Sequence, residues 1–207
     1  MGRGTSKVGR GGGTAQGNPY LQDYLENNPW LANMPEESRK AIIDNFANNM
    51  SEAEQFYYSL TDAEKSAIVD MQQSTRMLNE YMSGRSDVEP QYKKQFDATI
   101  ANTKSAIDKY QLNKPVTLYR GVGEKEFNSI AEGGKTESFK STSVDPSRAE
   151  AFARNQGGYI IEYKVSKGSR VANVNGAPGA NEGEYLIDSN VKYKKVKKSG
   201  NKITINI

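Results

Sequence analysis

Apolar positions along this chain change their period near Pro115. Before it they recur every three or four residues, the spacing of helix faces; after it they alternate or fall in short blocks, as in strands. Pro19 follows Asn18 as a cap-and-proline helix start. Met34-Pro35-Glu36-Glu37 opens a second helix, whose Ile42, Ile43, Phe46 and Met50 share one stripe. Ser51-x-x-Glu54 and Thr61-x-x-Glu64 both have the capping-box pattern. After Thr61, an imperfect stripe of Ile68, Met71, Leu78 and Met82 runs toward Gly84, a candidate C-cap. Tyr92, Phe96, Ile100, Ile107 and Tyr110 line a last long helix that ends before Asn113-Lys114-Pro115. These stripes are core positions, and Trp30 reads as a packing anchor between helices.

Beyond Pro115, Val116 to Arg120 reads as a strand and Gly121-Val122-Gly123 as a turn. Glu124 to Ala131 suits a short helix, stopped by Gly133-Gly134. Phe139 to Ser143 is strand-like, and Asp145-Pro146 caps a helix through Phe152. Tyr159 to Val165 is the clearest strand; Tyr185 to Ile187, Val191 to Val196 and Ile203 to Ile207 follow. The pattern predicts an α+β protein. A helical region over 19–112 precedes a mostly antiparallel β-sandwich core over 113–207. Residues 1–18, with seven glycines, Arg3, Lys7 and Arg10, bury too little to offset ordering and read as a disordered arm.

Composition then narrows the chemistry. The 207 residues suit one domain, or one core with a helical extension. Cysteine is absent, which removes disulfides and thiolate nucleophiles; histidine is absent too, which removes histidine bases and ordinary zinc sites. An enzyme built from this chain must use carboxylates, Arg, Lys, Ser or Tyr. A net charge of +3 is too small to imply nucleic-acid binding by itself. No window approaches about 18 apolar residues, and no apolar stretch follows the basic N-terminus. The expectation is a cytoplasmic protein with no membrane partner.

Three pieces of sequence stand out in order: Tyr119-Arg120-Gly121, Ser141-Thr142-Ser143 and Glu182-Gly183-Glu184. Alone, each has a plain structural reading: a surface arginine, an edge strand with alternating faces, an acidic strand start. In extended backbone Glu182 and Glu184 would point to one side, where their mutual repulsion suits a site that meets positive charge. The loop from Asn173 to Ala180 carries turn residues that could set the pair at a rim.

Together the three pieces resemble the arginine–serine–glutamate class of mono-ADP-ribosyltransferases. In length and helical layout the chain is most similar to the small members found in T4-type phages. The resemblance implies an NAD-binding core of the ADP-ribosyltransferase type, NAD as substrate and no metal. It makes Glu184, Glu182, Arg120 and Ser141 the catalytic set, with Arg120, Ser141, Phe152 and Glu184 binding NAD. In the family, the arginine meets NAD phosphate and ribose, and the first serine bonds the nicotinamide-side ribose and steadies the glutamate. The aromatic eleven residues beyond that serine packs on NAD; Phe152 could equally be a core residue of its capped helix. The position of Glu184 is that of the catalytic glutamate, and a glutamate at 182 goes with arginine as acceptor. Arg154 could reach a phosphate, though its spacing fits less well.

The chemistry agrees with those roles. A fixed carboxylate stabilises an oxocarbenium-like ribose, and a second one can orient a guanidinium and take its proton. The resemblance also implies host target proteins presenting arginine, in the transcription or translation machinery, ribosomal or RNA-binding proteins among them. Host-cell cytoplasm is the setting if the chain is phage-encoded. RNA contact through the Arg10-Gly11-Gly12 arm is a further expectation. Competing readings are a glycosidase, an NAD glycohydrolase, and a nucleic-acid-binding module using the arm and the basic stretch Lys192 to Lys198. Two glutamates on one strand leave little room to flank a sugar, which disfavours the glycosidase.

Overall fold

The computed structural model describes residues 29–40, 52–177 and 183–207. The chain forms two compact units, Met1–Met50 and Ser51–Ile207. In the first unit a 3-10 turn spans Pro29–Asn33, and residues 36–40 are helical, as the Met34-Pro35 start predicts. The Asn18-Pro19 start, the stripe from Ile42 to Met50, the arm, Ser51 and the side chain of Trp30 lie outside the described residues.

The second unit opens with three helices, α1 (Glu52–Ser59), α2 (Asp62–Met82) and α3 (Pro90–Lys109). Thr61 begins α2 with the expected capping box: its hydroxyl accepts from the Glu64 amide, and its own amide donates to the Glu64 carboxylate at 2.8 Å. From α3, Ser105 and Lys109 reach the same carboxylate at 2.7 and 2.6 Å. One cap therefore also fastens two helices. Gly84 adopts φ +66 just past the end of α2 and donates to the Tyr81 carbonyl, the role expected of it. The α3 stripe is narrower than predicted. Ala106 and Ile107 are buried with Thr99 and Thr103, whereas Tyr92 is half exposed. Thr103 can sit inside because its hydroxyl bonds the Thr99 carbonyl at 2.8 Å.

Then come β1 (Val116–Val122), α4 (Glu124–Ala131), β2 (Lys140–Ser143), α5 (Pro146–Arg154) and β3 (Tyr159–Val165). They are followed by β4 (Val171–Asn173), β5 (Glu184–Ile187), β6 (Lys195–Ser199) and β7 (Lys202–Asn206). The strands pair in the order β4-β5-β2-β1-β3-β7-β6, all antiparallel except β3 with β7. The core is thus α+β and mostly antiparallel. Leu118, Phe139, Ile161, Tyr163, Ile187 and Ile203 are fully buried at its centre, with Ile68, Met71 and Ile107 from the helices in the same cluster. Among the described residues no helix is long and apolar enough to cross a membrane.

Three strands differ from the sequence expectation. β1 runs on through Gly121 and Val122, read from sequence as a turn, because both pair with β3. The three residues of β4 were too short a run to read. The strand expected from Val191 starts only at Lys195, because Asn190 takes φ +63 and turns the chain.

The feature that opens the site is the join between β1 and β2. Along β1, every residue from Val116 to Val122 pairs with β3, but only Tyr119 pairs with β2, through Ser143. The sheet therefore divides into a β4-β5-β2 part and a β1-β3-β7-β6 part that meet at one point. α5 lies against β1 at Gly121, where a Cβ would sit 2.1 Å from the Ala149 carbonyl oxygen and 2.7 Å from the Ala153 nitrogen. Only glycine permits that approach. Gly121→Ala should push α5 off β1 and lower the unfolding free energy by about 3 kcal/mol. Thermal or urea unfolding measures this; an unchanged midpoint would contradict the close packing.

Candidate functional site

A cleft of about 780 Å³ lies between α2 and the divided part of the sheet. Gln72, Arg120, Ser141, Phe152 and Glu184 all line it. Four of the five residues named from sequence thus converge on one cavity. The fifth, Glu182, lies outside the described residues.

Arg120 projects from β1 with its guanidinium mostly buried. Its Nη1 donates to the Ser141 carbonyl at 2.9 Å, and its Nε and Nη2 meet the two Glu126 carboxylate oxygens at 3.2 and 3.3 Å. Lys140 reaches the same carboxylate at 3.0 Å. Burial pushes the Glu126 carboxyl up, but Arg120 and Lys140 outweigh it and hold the pKa at about 2. Two cations thus share one anion, leaving this wall a net positive charge. Nothing in the sequence marked Glu126, which reads as an ordinary acidic residue in the first turn of α4.

Ser141 and Ser143 share a face of β2 with Glu184 and Leu186 of β5, set by the register Ser141↔Leu186 and Ser143↔Glu184. Thr142 ties the two strands, its hydroxyl donating to the Tyr185 carbonyl at 2.7 Å. The Ser143 hydroxyl accepts from the Asp145 amide at 2.9 Å, turning the chain into α5.

Glu184 is the first residue of β5. The residue before it, Gly183, adopts φ +61, and a Cβ there would meet Val144 Cγ2 at 2.7 Å. Backbone at 183 is therefore left-handed rather than extended. The two-residue period of a strand, expected to set Glu182 and Glu184 on one side, does not pass through this glycine. The described part of the upstream loop turns: Asn173 Oδ1 accepts from the Asn175 amide, and Asn175 Oδ1 accepts from the Gly183 amide at 2.9 Å; residues 178–180 lie outside the described residues. That second bond fixes the approach to Glu184. From α2, Gln72 Nε2 donates to Glu184 Oε2 at 2.8 Å.

Phe152 is 57 % exposed, so it is no core residue of α5; its ring stands on the cleft wall. Arg154 does not line the cleft, whereas Arg148, on the same helix, does. Gln72 and Arg148 were missed by sequence reasoning. Their partners are distant along the chain, and no local pattern sets them apart. Among the described residues there is no cluster of three or more acidic side chains able to hold a metal ion.

The sequence profile of the ADP-ribosyltransferase exoenzyme family matches residues 45–206. An NAD(+)--arginine ADP-ribosyltransferase of Enterococcus faecalis, EFV, is 32 % identical over 99 residues, 45 % of this chain. The match spans only 20 % of that relative. Among solved structures, the ADP-ribosylating toxin BECa of a C. perfringens binary enterotoxin, crystallised with NADH, gives a TM-score of 0.58 at 21 % identity. The similarity covers 79 % of this chain and 45 % of that one. The Vibrio splendidus ADP-ribosyltransferase Vis, in complex with agmatine, gives 0.51 at 25 % identity, over 76 % of this chain and 85 % of that one.

The charge cluster makes a testable demand on Glu126. Glu126→Gln should cost about 2–4 kcal/mol at neutral pH, because it leaves two mostly buried cations without their anion. A carboxyl held at about 2, against 4.5 ordinarily, stabilises the fold above about pH 4.5 and loses that contribution as pH falls toward 2. The gap between wild type and Glu126→Gln should therefore close over that window in denaturant titrations. A gap that stays constant down to pH 2 would contradict the assignment.

Proposed function

The chain belongs to the ADP-ribosyltransferase exoenzyme family, and from that premise we propose that it transfers ADP-ribose from NAD to arginine side chains of proteins, releasing nicotinamide. The observation that carries this is the convergence of Arg120, Ser141, Phe152 and Glu184 on one cleft. Those residues are drawn from β1, β2, α5 and β5.

In this reading, the positive wall of Arg120 and Lys140 takes the NAD pyrophosphate, and the ring of Phe152 packs on the dinucleotide. Glu184, at the start of β5 in the same cleft, accepts from the ribose 2′-hydroxyl. The C–N bond between ribose and nicotinamide breaks, its electron pair leaving with neutral nicotinamide. The ribose becomes oxocarbenium-like, and the Glu184 charge stabilises it. A guanidine nitrogen then bonds C1′ and gives up a proton, for which Glu182 is the proposed acceptor. A guanidinium with a pKa above about 12 needs such a partner. Arginine as acceptor is supported by the EFV similarity and by agmatine, a guanidino compound, in the Vis complex.

The proposed targets are host proteins of the transcription or translation machinery, reached in the host cytoplasm. Support for this comes from the likeness in helical layout to the small phage members, and the arm would supply any RNA contact. Hydrolysis of NAD without transfer is the variant that the assay below separates.

Nicotinamide release and labelling of a guanidino acceptor should be measured side by side. Glu184→Gln should lower both by about 10²–10³-fold. Glu182→Gln should lose arginine labelling yet keep much of its nicotinamide release, since water needs no guanidinium partner. Equal loss of both by Glu182→Gln contradicts the division of labour. Full activity in Glu184→Gln contradicts the enzyme assignment.

A further inference from the structure

Gln72 sits in the middle of α2, far along the chain from every motif that pointed to the site, yet its side chain ends on the carboxylate of Glu184. The bond, Gln72 Nε2 to Glu184 Oε2 at 2.8 Å, joins the helical region to the first residue of β5. We infer that Gln72 is a positioning residue that holds the Glu184 carboxylate in its working orientation without neutralising it. The inference rests on the role of Glu184 given under the proposed function.

Two features of α2 hold the amide in place. Ile68, Met71 and Leu78 are almost completely buried and fix the helix on the core on either side of Gln72. Between them the helix bends: Ser74 leaves helical geometry at φ −123 and ψ 23, and the Thr75 hydroxyl donates to the Met71 carbonyl. A hydroxyl bonded one turn back is a common cause of such a bend. The bend falls where α2 passes the cleft. Glu184 needs a tie of this kind. Its backbone is held by the register with Ser143 on β2 and by the Val174 amide, which donates to the Glu184 carbonyl at 3.0 Å, but backbone bonds do not set the rotamer of the carboxylate.

The chemistry of the tie favours an amide. A carboxylate that stabilises a developing cation must keep its negative charge. A lysine or arginine in the place of Gln72 would also orient it, but would cancel its field where the cation forms. A neutral N–H donor orients it and leaves the charge in place. The other charged groups around Glu184 come from every wall of the cleft. They are Arg120 on β1, Glu126 on α4, Lys140 on β2, Arg148 on α5, and Arg76 and Glu80 on α2. Arg76 pairs with Glu80, and Arg120 and Lys140 with Glu126. Arg85 also lines the cleft and pairs with Glu137.

Gln72→Leu, Gln72→Asn and Gln72→Glu test this, with Glu184→Gln as the reference and thermal unfolding recorded for each. Gln72→Leu keeps the size but loses the donor, and should lower kcat for nicotinamide release about tenfold with little change in the KM for NAD. Gln72→Asn is one methylene short and should fall between Leu and wild type. Gln72→Glu sets a second carboxylate beside Glu184, so the acidic limb of the pH–rate profile should move up by about one unit or more. A role in packing alone would lower the melting temperature without moving that limb. If Glu184→Gln is inactive while Gln72→Leu keeps kcat within twofold, or loses only in KM, the positioning role is overturned and the function stands. If Gln72→Glu does not fold, the split between kcat and KM in Gln72→Leu decides. An active Glu184→Gln overturns the functional reading itself.

Discussion

Arg120 donates one N–H to the carbonyl of Ser141 at 2.9 Å, across the gap where β1 and β2 stop pairing. In a continuous antiparallel ladder a backbone N–H of the neighbouring strand would meet that carbonyl. Here the ladder holds at Tyr119↔Ser143 only, and a side chain takes over. The substitution lets the two parts of the sheet separate without leaving a polar group unpaired. The gap between them becomes a wall of the cleft. Glu126 locks the guanidinium in this bridge and Lys140 strengthens the lock, so the arginine is fixed before any ligand arrives. Gly121, the next residue, lets α5 close on β1 and brings Phe152 to the rim.

Charge is distributed unevenly around this bridge. One wall carries two cations and one carboxylate, which suits the phosphates of a dinucleotide. Glu184, on β5, is tied by a neutral amide rather than by a lysine or arginine. Separation matters, because a substrate that holds an anionic pyrophosphate and develops a cationic ribose needs opposite fields a few ångströms apart. A chain without histidine or cysteine can supply both fields with the side chains it has.

Much of this could be read along the sequence because the signals are local. The change of period at Pro115, the Thr61 capping box, the Gly84 cap and the Asp145-Pro146 start of α5 each depend on neighbours within a turn or two. The three motifs were legible for a different reason, as a resemblance in order and spacing. What stayed hidden depends on tertiary contact. Gln72 lies 112 residues from Glu184, and only folding brings α2 over the cleft. Glu126 looks like a helix-start acid until Arg120 and Lys140 close on it. The bend at Ser74 breaks no sequence rule. Gly183 shows the opposite failure: a strand period was carried through a residue whose φ of +61 ends the strand.

In the proposed mechanism Arg120 and Glu184 act on adjoining parts of one NAD molecule, the pyrophosphate and the nicotinamide-side ribose. A crystal structure with a non-cleavable NAD analogue tests it most directly. The pyrophosphate should lie against Arg120, the nicotinamide-side ribose should have its 2′-hydroxyl within hydrogen-bonding distance of Glu184, and Gln72 should still be bonded to that carboxylate. An analogue bound in the cleft with its pyrophosphate away from Arg120, or with Glu184 out of reach of the ribose, would contradict it.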